Sequence, residues 1–319
     1  MAGEMGALTV DGSTKQRKVH QMAHIANSTR LRVLVTGAAG YIAGINLPAL
    51  RSRHDLTLLD LRAARRDGTP LDGVIEYDLA ADVQGGYHPS DRLRAMFRGV
   101  DAVFHCAYVH SNWKTLDGYE TERGNVDLAY LIYRLAHEEG VRRVIVASSN
   151  HAADWYETPL RDGRLELLGP EMPAYSDNWY GWAKVSYEQM GFVFASGAFG
   201  RALEVVQLRI GAPRAIEADR FSDNTVGYRR DLGAWLTDRD FQQLLLKSLE
   251  TPDIRNEFGV PFQIFYGISN NTRAFWSIRN ARRVIGYAPQ DDSEVTYAED
   301  IRRLLTDAGR RGRLSDENS

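Results

Sequence analysis

In the run Tyr180-Gly-Trp-Ala-Lys184 a phenol and an ammonium fall one turn apart, on one face of any helix that contains them. A tyrosine ordinarily titrates near ~10, and an adjacent cation lowers that towards working pH, so the pair can offer a phenolate as a base. Ser149 ends the apolar run Val144-Ile-Val-Ala147-Ser148, where its hydroxyl could hold the oxygen of a reacting alcohol. The bland alternatives are a chance Tyr-x-x-x-Lys among 15 tyrosines, and a serine that only terminates a strand. Arg209 closes another apolar run, and its guanidinium fork suits a carboxylate or a phosphate. The competing reading of Arg209 is a structural ion pair closing the sheet. Trp276 could pave a sugar face or pack a cap.

A second constellation is suited to a dinucleotide. Thr36-Gly37-Ala38-Ala39-Gly40-Tyr41-Ile42-Ala43 stands where a strand turns into a helix. Gly37 and Gly40 would let the backbone approach a pyrophosphate, the helix amino terminus would favour its charge, and Ala43 is small enough for close helix–strand packing. Asp60 ends the next strand. A carboxylate there accepts hydrogen bonds from the adenosine ribose and repels a 2′-phosphate, which predicts NAD over NADP. Arg62, Arg65 and Arg66 follow it and read as a solvated helix face, or else as a means of admitting some NADP.

The elements that must position these residues alternate regularly. Apolar runs predict strands over 31–36, 56–60, 74–77, 101–105, 144–147, 203–210 and 262–268. Helical spacing predicts helices over 41–53, 91–97, 125–139, 182–198 and 238–249, with short ones over 277–285 and 297–306. Strands apolar throughout, alternating with helices, indicate a doubly wound α/β fold with a parallel sheet covered on both faces. Four parts follow: a flexible extension over 1–30, a dinucleotide-binding Rossmann domain over 31–211, a small substrate-binding cap over 212–310, and a polar tail over 311–319. The segment 212–232, rich in Arg, Asp and Gly, reads as loop, and 158–178, with Gly163, Gly169, Pro170 and Pro173, as a lid.

Composition narrows the function. The 319 residues carry 39 basic and 42 acidic side chains, a net charge of −3, so nothing points to a nucleic acid or an anionic membrane as partner. Cys106 is the one cysteine, which excludes an internal disulfide and a cysteine-rich zinc site. His105 and His110 flank it without metal-ligand spacing, and no metal is expected. No apolar run approaches the ~20 residues that span a bilayer, and the first residues lack the apolar core of a secretory signal. The expectation is a soluble, cytoplasmic protein.

The order of the glycine turn, Asp60, Asp78-Leu79, Asn125-Val126, Ser149 and Tyr180/Lys184 resembles the extended short-chain dehydrogenase/reductase family over about 31–300. Leu128-Ala129 stands where many members have Gly-Thr. Within the family, Ala147-Ser-Ser-Asn-His151, Gln207-Leu-Arg-Ile-Gly211, Trp235-Leu-Thr-Asp238, Tyr266-Gly-Ile-Ser269 and Arg283-Val-Ile-Gly-Tyr-Ala-Pro-Gln-Asp291 resemble the uronate dehydrogenases and a related group of NAD-dependent sugar-phosphate dehydrogenases. The stretch from Tyr108 to Ser111 departs from that branch's glycine-rich segment, and Phe275-Trp276-Ser277 from its Trp-Trp-Asp.

The resemblance implies Ser149, Tyr180 and Lys184 as the catalytic set and NAD as cofactor. It implies a cofactor cleft of Gly37, Gly40, Tyr41, Ile42, Asp60, Leu61, Asp78, Leu79, Cys106, Ala107, Tyr108, Asn125, Tyr180, Lys184 and Ile210. Asp78 and Leu79 would meet the adenine, and Asn125 would support the lysine through water. Substrate would meet His110, Ser111, Ser149, Asn150, His151, Tyr180, Arg209 and Trp276, with Arg209 on the distal acid group. The expected reaction is oxidation of the C1 hydroxyl of a pyranose sugar acid to a lactone, in a homodimer. Alternatives left open are a sugar 6-phosphate dehydrogenase with arginines around Arg209 or Arg229-Arg230 on the phosphate, a nucleotide-sugar epimerase or dehydratase, and a non-catalytic dinucleotide sensor.

Overall fold

The computed structural model describes residues 30–84 and 88–306. Apart from Arg30, the expected extension and the tail lie outside the described residues. Seven parallel strands form one sheet: β1 (Arg32–Thr36), β2 (Asp55–Asp60), β3 (Val74–Glu76), β4 (Ala102–His105), β5 (Arg143–Ser149), β6 (Glu204–Ile210) and β7 (Phe262–Gly267). Their order is β3-β2-β1-β4-β5-β6-β7. The chain winds outward from β1 in one direction through β2 and β3, then returns to start the other half at β4. A crevice opens between the carboxyl ends of β1 and β4, where such sheets bind ligands.

The strands are apolar on both sides because both sides are covered. Val33, Val35, Phe104, Ile145, Val206 and Leu208 point into one core, with α1 (Tyr41–Arg53) and a helix over Asp238–Glu250 packed on it. Their neighbours Leu34, Val103, Val144, Val146 and Val205 point into the other. Alternate residues of each strand thus enter opposite cores. The second core is closed by α2 (Leu79–Gln84), α3 (Asp91–Phe97), α4 (Gly118–Glu138) and, after the short α5 (Glu157–Arg161), by α6 (Trp179–Ala195). Residues beyond Gly211 supply β7 to the same sheet and pack the Asp238–Glu250 helix on α1.

The expected elements recur with differences that have physical causes. α4 starts at Gly118 rather than 125, because its first turns are polar and show no apolar spacing. Glu122 in those turns is nonetheless fully buried. Segment 212–232, read as loop, holds α7 (Thr225–Ala234), whose amino end is capped by the Asn224 side chain accepting from the Gly227 amide. Its apolar contacts are few, chiefly Tyr228 and Leu232, so its charged residues hide it. The helix over Asp238–Glu250 is α8, and Arg279–Ile285 is α9. The lid segment is pinned at its middle: Leu168 exchanges backbone hydrogen bonds with Phe275 and Ser277. Arg62, Arg65 and Arg66 lie exposed on a turn closed by an Ala64–Pro70 bridge, not on a helix. No helix among the described residues is long and apolar enough to cross a membrane.

Candidate active site

The crevice at β1 and β4 has the features of a dinucleotide cradle. Gly37 takes φ +69°, and a Cβ there would lie 2.6 Å from the Ala107 amide nitrogen, so only glycine lets this turn pass against Cys106 and Ala107. Gly40 begins α1 without a side-chain cap, which leaves the helix amino terminus to an anion. The Tyr41 hydroxyl donates to the Pro213 carbonyl and ties that helix start to the segment after β6, while Ile42 packs on the core. Asp60 Oδ2 accepts from the Ala39 amide at 2.9 Å and Oδ1 from the Arg62 amide at 3.2 Å, which fixes the carboxylate at the end of β2. An open cleft beside it is lined by Leu61, Tyr77, Asp78 and Arg92, and Leu79 lies buried beneath. A glycine cradle, an uncapped helix start and a fixed acid at the second strand's end fit NAD, whose pyrophosphate Gly37–Tyr41 would hold and whose ribose Asp60 would hold.

At the carboxyl end of β5 the expected catalytic residues come together. Asn178 caps α6 through the Gly181 amide at 2.9 Å, so the helix begins just before Tyr180. Gly181 is required by contact: a Cβ there would lie 2.1 Å from the His151 carbonyl oxygen. That close approach presses Tyr180 against the turn Asn150–Tyr156, with its ring 5.5 Å from that of His151. Lys184 Nζ stands 5.1 Å from the Tyr180 ring centroid, and donates to the Ala147 carbonyl at 3.1 Å. Ser149 is paired in register with Ile210 of β6. The Ser149 hydroxyl donates to Asn150 Oδ1 at 3.3 Å, while Asn150 Nδ2 is buried without a partner.

The electrostatics differ from the expectation of a lowered tyrosine. Burial pushes Tyr180 up to about 12, against a hydrogen bond from Ser149 that pulls it down, with Glu122 and Asp154 adding to the rise. Burial also pulls Lys184 down to about 8, and the charges of Glu122, Cys106 and Glu188 oppose that. Desolvation is the largest cause for both. His105 is held neutral, down to about 3 by burial, with Nδ1 2.7 Å from the Thr36 hydroxyl. The Cys106 thiol is pushed up by burial.

Other expected residues take different partners. Asn125 spends both ends of its amide on the Val109 backbone, at 2.8 and 2.9 Å, and so anchors the segment after β4. The hydroxyls of Tyr108 and Ser111 both donate to Glu122, and the Tyr108 ring packs edge-on against Tyr180 and His110. Trp276 is buried with Tyr266, Ala153 and Leu168 and packs the cap. Arg209 is buried and holds Glu188 with Nε and Nη2 and Tyr266 with Nη1. The distal-anion reading of Arg209 is thereby corrected, since its fork closes an internal ion pair.

Two residues, Asp154 and Glu122, went unread in the sequence, and Arg230 entered there only as one of a pair of arginines for a phosphate. Asp154 accepts from His151 Nδ1 at 2.6 Å and from Asn178 Nδ2 at 2.9 Å, which orients the imidazole beside Tyr180. Arg230 of α7 lies with its guanidinium 5.5 Å from the Trp276 ring, feels the Asp154 charge, and binds Glu157 and Asp231. Helical spacing in a recognised α7 would have singled out Arg230 from Arg229, and a charged residue one turn before Asn125 would have exposed Glu122.

Residues 33–210 match the NAD dependent epimerase/dehydratase family. A uronate dehydrogenase of Pseudomonas putida is 32% identical over 84% of this chain and 87% of its own. An NAD-dependent glucose-6-phosphate dehydrogenase of Haloferax volcanii is 31% identical over 83% of this chain and 95% of its own. Among solved structures, uronate dehydrogenase from Agrobacterium tumefaciens superposes with a TM-score of 0.64 at 26% identity, covering 88% of this chain and 90% of that one. With its sheet order, its glycine cradle and its Ser149/Tyr180/Lys184 cluster, the chain belongs to the NAD-dependent epimerase/dehydratase family of extended short-chain dehydrogenases/reductases and is an NAD-dependent oxidoreductase.

Proposed function

We propose that the protein oxidises the C1 hydroxyl of a pyranose uronic acid to an aldonolactone. The observation that carries this reading is Arg230, a guanidinium that feels the charge of Asp154, the carboxylate that orients His151 beside Tyr180. A carboxylate at one end of a sugar and a reacting hydroxyl at the other suit that pair of groups. The similarity to uronate dehydrogenases supports the same substrate class.

NAD, when bound, supplies the acceptor for the C1 hydride. Ser149 would hold the C1 oxygen and Tyr180 Oη would take its proton, so that C1 becomes the lactone carbonyl. Tyr180 would act as phenolate, its own proton having gone to solvent, and Lys184 would stabilise that phenolate until it takes the substrate proton. Asn150 Nδ2, buried without a partner, would donate to a ring hydroxyl, and His151, set by Asp154, would hold another. A sugar 6-phosphate is the second reading, since the Arg230 fork suits a phosphate equally well and the similarity to a glucose-6-phosphate dehydrogenase favours it. NMR of the product of a turned-over uronate tests the first: a lactone that opens later in solution agrees, and an open-chain acid as first product contradicts it.

A further inference from the structure

Glu122 is the one carboxylate buried at full depth between α4 and the catalytic face of α6, and neither the cofactor cradle nor the substrate contacts use it. It is 0% exposed. Its Oε1 accepts from the Tyr108 and Ser111 hydroxyls, the latter at 2.5 Å, and its Oε2 from Asn125 Nδ2 at 3.3 Å. The Tyr108 ring thus fixed stands 5.0 Å from Lys184 Nζ and 5.4 Å, centroid to centroid, from Tyr180. The carboxylate and both catalytic side chains therefore share one tyrosine ring between them.

We propose that Glu122 is a positioning residue of the reaction, a buried counter-charge that keeps Lys184 a cation and, through Tyr108, holds it against Tyr180. This rests on reading Tyr180 as the base. Lys184 lies on a fully buried face, where an ammonium without a counter-charge sheds its proton. The groups that face it are Glu122 from α4, His105 from β4, Cys106 and Tyr108 from the segment after it, and Tyr180, Tyr187 and Glu188 from its own helix. Glu188 is committed to Arg209 by two hydrogen bonds, which leaves Glu122 as the carboxylate whose charge is not already matched by an arginine. Asp154 acts on Tyr180 from the other side and is engaged by His151 and Asn178. The departure of Tyr108–Ser111 from a glycine-rich segment follows: both hydroxyl side chains are needed to bind Glu122.

Burial brings Lys184 down to about 8, with the Glu122 charge opposing that fall. In Glu122→Gln the shape is kept and the charge removed, so the Lys184 midpoint moves to lower pH by on the order of one unit. Lysine is scarce in this chain, so isotope-labelled lysine with Lys184→Met as reference lets NMR follow the Lys184 titration without substrate. The expected result is a lower Lys184 midpoint in Glu122→Gln and a return towards the original in Glu122→Asp. The alkaline limb of kcat/KM would move with it, and kcat on the plateau would fall. An unmoved Lys184 midpoint in a folded, NAD-binding Glu122→Gln protein overturns the proposal, as does a midpoint that Glu122→Asp fails to restore. Because the titration needs no sugar, its result stands apart from that of any substrate assay.

Discussion

Arg209 and Glu188 form a two-pronged ion pair inside the protein: Nε reaches Oε1 at 2.8 Å and Nη2 reaches Oε2 at 2.7 Å, with both side chains about 1–2% exposed. Ser148 donates to the same Oε1 at 3.0 Å, and the Tyr266 hydroxyl takes Arg209 Nη1 at 2.8 Å. The pair binds α6, which carries Tyr180 and Lys184, to β5 and β6. It is a brace for the catalytic helix.

Arg209→Met leaves Glu188 charged and buried with one hydroxyl donor, and loss of such a partner costs roughly 3–5 kcal/mol. Denaturant unfolding is expected to show a loss of that order. Arg209→Met at unchanged stability, with KM alone raised, would return Arg209 to the role of anion holder.

Arg230→Met is expected to behave in the opposite way. KM for an acidic sugar rises roughly tenfold or more, since a charge-assisted hydrogen bond contributes about 1.5–3 kcal/mol. KM for the matching neutral sugar moves little. Steady-state kinetics on both substrates check this, and equal effects on the two would contradict it.

Much of this arrangement can be read from residue types. β1, the glycine turn and α1 follow from an apolar run, small residues and a 41–53 helical pattern, and α1 spans Tyr41–Arg53 as expected. Tyr180/Lys184 spacing and Ser149 at a strand end foretold one locus because parallel strands deliver their carboxyl ends to one edge. Arg209 could not be settled in that way. Its partner Glu188 sits on a helix packed across β5 and β6, and only tertiary packing brings the two together. Glu122 escaped for a related reason: it lies in a polar stretch, where burial leaves no periodic apolar mark.

Tyr180→Phe removes the base while keeping the ring that packs on Tyr108 and His151. A fall in kcat of roughly 10²–10⁴-fold is expected, with NAD affinity largely kept. Turnover close to that of the unaltered protein would remove Tyr180 from the chemistry.

Lys184 is ordinarily at 10.5 and is lowered by burial to about 8 in the folded protein. Between those values the unfolded chain holds a proton that the folded chain has released, so this residue's contribution to stability rises with pH across that window. The unfolding free energy of the unaltered protein minus that of Lys184→Met should therefore increase from about pH 8 to about pH 10.5. Chemical denaturation at several pH values measures it, and a difference that falls across the window would show that Lys184 is not desolvated.

Asp154→Asn weakens the hold on His151 Nδ1 and on Asn178, the cap of α6. Oriented imidazoles lose roughly 10²-fold or more when their geometry slips. Here kcat/KM is expected to fall by roughly that factor. Stability measured in parallel separates this from a general loosening of the helix start.

The central claim, NAD-linked oxidation of a uronic acid at C1, is tested most directly by following NADH formation with the purified protein, NAD⁺ and, separately, glucuronate, galacturonate, glucose and glucose 6-phosphate. NADH with a uronate, and little with glucose, is the predicted result. NADH with glucose 6-phosphate and neither uronate, or none with any of the four, would contradict it.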